Sequence, residues 1–247
     1  MLIFRVLVLC LALASPALAQ DGAKLTATAQ EANKAFHAYI DCLKKDQRPD
    51  PNKPEVTALL ARIFDVDALN ALPPAKPDDL AWMPDWMQTA NDANKALLFY
   101  GAMSGPQPDM EKIGLNMVAY EDQYARIMNF LIRAQAREAL AMNMFMVGLA
   151  PDKRTKIRED GYTNARHGAS EMVIGAIGAV ILNAKKPENI RLVSGAIRDT
   201  REVWVGFFLP QDRERYLKML DDLPKRVTDD KAREDLTALQ TALRDGK

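Results

Sequence analysis

The stretch "LIRAQAREALAMNMFMVGL", residues 131–149, sets three methionines at alternate positions: Met142, Met144 and Met146. Alternation is the mark of a strand, whereas the alanine, leucine and arginine around it favour a helix. At about 100° per residue, Met142 and Met146 share a face with Ile113, Met117, Tyr120, Tyr124, Ile127, Met128, Leu131, Phe145 and Leu149. Met144 points the other way, toward the side of Arg126, Arg133 and Arg137. The alternation is incidental, and the segment is a helix. Two methionines one turn apart supply only part of a soft copper site, and the chain has just two histidines. Core packing, with methionine filling irregular gaps, is the better reading.

Working outward, breakers such as "QRPDPNKP", "LPPAKPDD", "SGPQPD", "LAPDK" and "NAKKPEN" separate segments of helical periodicity. Pro54, Pro187 and Pro210 stand where first helical positions fall. The spacing predicts helices over about 25–46, 54–70, 82–103, 109–149, 152–183, 187–209, 211–223 and 229–244. No alternating run bounded by hairpin signals occurs. The expectation is an all-α chain without a sheet. It forms a single helical-bundle-like domain of about seven to eight helices, built on a long central helical hairpin, 109–149 with 152–183. Trp82 and Trp86, one turn apart, are placed to lap over a neighbouring helix as a lid.

The first 20 residues, "MLIFRVLVLCLALASPALAQ", carry one basic residue, an apolar run over 6–14 and a small-residue Ala17-Leu18-Ala19. That is the layout of a secretory signal peptide over 1–19, leaving 20–247 as the domain and a periplasmic or secreted destination. The apolar run is too short to span a bilayer, so no membrane span is expected after cleavage. Lys plus Arg and Asp plus Glu balance at 33 each, which removes the field that nucleic-acid binding needs. Cys10 leaves with the leader, and Cys42 remains alone. It reads as a half-buried small apolar residue, with an intermolecular disulfide as the alternative.

Two residues interrupt the apolar stripe of the long helix: Gln135 and Glu138. A buried carboxylate needs a cation, a ligand or a proton. "ARHGASEMVIGAIGAVIL", 165–182, is apolar almost all round from Met172, as a central buried helix would be. It also aligns Asn164, Gly168, Glu171, Gly175, Gly178 and Ala179 on one side, suited to close approach of another helix. With Arg198 and Arg201 on the following helix, the expectation is one buried polar cluster of Gln135, Glu138, His167, Glu171, Arg198 and Arg201. That cluster reads either as an internal salt-bridge network or as a pocket for a small polar ligand. His167 and Glu171 on adjacent turns make half a metal site, but neither histidine has a glutamate three residues before it, so the Glu-x-x-His pattern of a di-metal bundle is absent. No nucleophile elbow, haem attachment or phosphate loop is present. The sequence therefore calls for no cofactor and no metal, and for a non-catalytic binding or structural-interaction protein with an unknown protein or small-molecule partner. An enzyme or small-ligand receptor using the cluster is the alternative. Arg126, Arg133 and Arg137 read as a solvated, locally paired face.

Overall fold

The computed structural model describes residues 16–44, 47–103 and 107–246. The leader expected over 1–19 falls mostly on residues outside these. The described chain is all-α, without a strand: α1 (Pro16–Asp41), α2 (Pro54–Ile63), α3 (Val66–Ala71), α4 (Met83–Leu98), α5 (Met110–Ala119), α6 (Glu121–Gly148), α7 (Lys156–Ala176), α8 (Pro187–Asp199), α9 (Arg201–Phe207), α10 (Pro210–Asp222) and α11 (Asp230–Asp245). Proline opens α2, α8 and α10 as expected, because its missing N–H costs nothing in a first turn. Aspartates cap α3, α5 and α11, with Asp65, Asp109 and Asp229 accepting from Ala68, Lys112 and Ala232 N–H groups.

Four expected helices are interrupted. The 54–70 segment breaks where Asp65 turns from helix interior to cap. The 109–149 segment breaks at Tyr120, whose side chain turns inward so that its hydroxyl donates to Pro49 O at 3.0 Å. The 187–209 segment breaks at Thr200, whose Oγ1 donates back to Ala196 O and accepts from Trp204 Nε1 at 2.8 Å. The 152–183 segment ends in a π-helical turn, Ile177–Ile181.

One hydrophobic core runs from Ala29 to Leu243. Its axis is α6, buried on nearly every side between Ala125 and Met142. Ala125, Ala134, Ala136, Ala139 and Ala141 keep the helix thin enough for neighbours on several sides. These are α8, α4, α7, α9 and the 3-10 turn Pro77–Ala81. The main companion of α6 is α8 and not, as the hairpin expectation had it, α7. Nor is the 172–182 stretch buried all round: Val173, Ala176, Ile177, Val180 and Ile181 are buried, but Met172, Ile174 and Leu182 are half-buried and Gly175 is exposed, and the first half of α7 lies open. A Cβ added at Gly168, Gly175 or Gly178 would meet nothing within 4 Å, so the glycine side faces outward and admits no helix. Met142 is buried and Met144 exposed, as the projection required.

The tryptophans brace the core and do not form a lid. Trp86 donates to Ile63 O at 2.9 Å and meets the Phe130 ring at 5.1 Å. Trp82 lies against α1 so closely that a Cβ at Gly22 would overlap its indole. Cys42, exposed at the end of α1, is not half-buried.

The arginine row of α6 is only partly solvated. Arg126 is exposed, but Arg133 binds Asn129 and Asp199, and Arg137 is largely buried. Arg137 pairs with Asp79 at 2.7 Å, donates to Pro73 O and stacks near Trp82. Its stem must cross apolar surface to reach that partner. The pair clips the 3-10 turn to α6. Removing one member strands the other charge, so Asp79→Ala should lower unfolding free energy by about 3–5 kcal/mol in urea titrations. Asp79→Leu with Arg137→Met should recover most of that loss.

Candidate functional site

Glu138 is held inward as the projection placed it, at 4% exposure. Its one hydrogen-bond partner among the described residues is Gln135, whose Nε2 donates to Oε2 at 2.9 Å. No cation among the described residues reaches it. Burial pushes its carboxyl up to about 7, and the Gln135 bond opposes that shift with a smaller effect. The group is a sealed, near-neutral acid.

The remaining candidates do not join it; the expected single cluster is divided among three places. Arg198 binds Asp199 and, at 3.0 Å, the buried Asp235 of α11. Arg201 donates to Arg198 O and lies 3.7 Å from Glu202. The basic side chains of α8 and α9 are thus taken by nearer acids, and none is left to turn toward α6. His167 and Glu171 stay together, but on the outer side of α7, where α10 and not α6 supplies their company.

There the structure assembles a group that includes two residues the sequence reading missed. Asp212, in the first turn of α10, is 3% exposed and lies 3.1 Å from His167 Nδ1 through Oδ1. Arg215, one turn on, forms an ion pair with Glu171 and stands 3.8 Å from Asp212. His167 Nε2 is 4.0 Å from Glu171 Oε1. The helix junction beneath is firm: Arg166 donates to Phe207 O and Phe208 O, and Phe208 packs on Tyr216 at 4.9 Å. Ser170 supplies no nucleophile to this histidine, since it is buried and its hydroxyl donates to His167 O. The clue available in sequence was an acidic first turn after "FFLP", though nothing there says that it meets His167.

A cleft of about 430 Å³ opens between α2–α3 and α6, lined by Leu60, Phe64, Val66, Ile127 and Leu192 together with Asp67, Gln123, Arg126 and Asn129. Asn129 is 7% exposed; its Oδ1 accepts from Arg133, and its Nδ2 makes no hydrogen bond among the described residues. That amide nitrogen therefore stands as a free donor on the wall of the cleft, open to water or to a ligand.

The Glu138 carboxyl sets a pH dependence. Its folded pKa is raised, so the folded state keeps a proton that the unfolded state loses between about 4.5 and about 7. Stability therefore falls as pH rises through that window, by roughly 3 kcal/mol at full extent. Glu138→Gln should flatten the decline and be the more stable protein at pH 8 by chemical denaturation. A sharp loss of stability in this variant at pH 8 would instead require a cation beside the carboxylate.

No protein-family model matches this chain, and no curated protein and no solved structure matches it.

Proposed function

We propose that the protein is an exported, non-catalytic binding protein of the periplasm or the extracellular medium. Export is supported by the charged start, apolar run and A-x-A end of residues 1–19. No helix of the described residues is long and apolar enough to cross a membrane. A binding role fits the chemistry better than turnover. Among the described residues, the one carboxyl with a strongly raised pKa is sealed, and the acids near His167, exposed Glu171 and buried Asp212, both face Arg215.

The observation that carries the reading is the α2–α6 cleft, whose wall combines an apolar surface with the Arg126 side chain and the Asn129 amide nitrogen, a donor with no partner among the described residues. The cavity has the volume of small-molecule sites, an apolar floor and few polar groups. Arg126 and the Asn129 Nδ2 suit a carboxylate, and Asp67 on the rim suits an amine. The ligand class is a small amphoteric molecule with an apolar body, with free apolar amino acids as the first probes. Calorimetric titration of the purified chain with leucine, phenylalanine and methionine should give saturable one-to-one binding, weakened about tenfold or more in Arg126→Ala and Asn129→Ala. Absence of binding across the panel, or affinity unchanged in both variants, contradicts the reading.

A second reading, a protein partner, is favoured by Leu140, Met144 and Val147, which form an exposed apolar stripe at i, i+4, i+7 near the end of α6, with Ile157 exposed on α7. A photo-crosslinking residue at Met144 should then give a discrete adduct in the exporting cell, and one at Glu202 should not. Reductant-sensitive bands through the exposed Cys42 on the same gels would report pairing between chains.

A further inference from the structure

We propose that His167, Glu171 and Asp212 form a binding site for a first-row divalent cation, best suited to Zn2+, for which the Arg215 guanidinium stands in as the resident cation. One ligand atom from each of the three side chains can be chosen so that all lie within 4.8 Å of one another. Metal–ligand bonds of about 2.0–2.2 Å put neighbouring donor atoms roughly 3–3.5 Å apart. The His167 Nδ1 to Asp212 Oδ1 separation, 3.1 Å, already meets that spacing. Glu171 Oε1 lies 4.0 Å from the other ring nitrogen, Nε2, so an ion held through Nδ1 needs rotation of two side chains that are each about half exposed, His167 at 54% and Glu171 at 47%.

The donor set argues for the class of ion. An imidazole nitrogen with two carboxylate oxygens suits Zn2+ or Co2+, whereas Ca2+ and Mg2+ favour oxygen alone. His167 and Glu171 occupy one face of α7, four residues apart, and Asp212 comes from the first turn of α10. A bound ion would therefore bridge two helices whose junction is already fixed by Arg166 on the Phe207 and Phe208 carbonyls. That support preorganises the ligands. Arg215 marks where positive charge is wanted, because its terminal nitrogen pairs with Glu171 and faces Asp212 at 3.8 Å. The side chain is half exposed, so it can swing into water as an ion enters. A divalent ion offers both carboxylates twice the charge and gives the imidazole a partner that a guanidinium cannot.

The test is calorimetric titration of the untagged, chelator-stripped full chain with ZnCl2, paired with the visible absorption of the Co2+ form. The expected result is one ion per chain, with a zinc-dependent rise in melting temperature. His167→Ala and Glu171→Gln, both at exposed positions that should not disturb folding, weaken binding at least about tenfold. His37→Ala, the change at the chain's other histidine, leaves it unaltered. Arg215→Gln tightens binding several-fold by removing the competitor. The proposal is overturned by absence of saturable one-to-one binding, by affinity unchanged from the parent chain in His167→Ala and Glu171→Gln, or by weaker binding in Arg215→Gln.

Discussion

Burial of α6 on nearly all sides is the constraint from which the rest of the fold follows. A helix with neighbours on several sides cannot carry large side chains all round, and the alanines at 125, 134, 136, 139 and 141 let those neighbours approach. It also cannot leave charges unanswered along its length. Arg133 and Arg137 lead outward to Asp199 and Asp79, which fasten α8 and the turn before α4. At the start of the helix, Glu121 accepts from the Lys185 and Lys186 amides and from Asn189, and Asp122 pairs with Lys186. Negative charge there also favours the helix dipole. Polar anchors at the rim thus set the register of an apolar centre.

Glu138 is the exception within that centre, and its treatment differs from that of the arginines. An arginine has a long stem and a charge it cannot lose, so the fold must bring it a carboxylate. A glutamate can take up a proton instead. With a single amide partner, the neutral form costs less than a buried anion would. This separates the polar chemistry of the molecule into a sealed acid near its axis and accessible groups on its flanks, the His167 cluster on α7–α10 and the Asn129 cleft beside α2.

The sequence made the helices legible, because periodicity and proline breakers are local signals. Pro54, Pro187 and Pro210 open helices where expected, and the inward turn of Glu138 and the outward turn of Met144 follow from angular position alone. The breaks at Tyr120 and Thr200 were not legible, because each depends on where a side chain finds its partner: Pro49 O for one, Trp204 for the other. The exposure of α7 was misread for a related reason. Its apolar composition suits a central helix, but burial is decided by which neighbours arrive, and α8 takes that place beside α6. The companions of His167 were beyond reach for the same cause. Asp212 in sequence is an ordinary first-turn acid, and only the docking of α10 on α7 brings it to an imidazole.

The central claim, that α6 buries a carboxyl whose hold on its proton extends to about neutral pH, with only an amide for company among the described residues, is open to direct observation. The side-chain carboxyl carbon of Glu138, followed by 13C NMR across pH 3 to 9 and assigned with Glu138→Gln, reports its protonation directly. The account predicts a midpoint at about 7. A midpoint in the ordinary carboxylate range, near 4.5, would contradict it and would mean that water or a cation reaches the site.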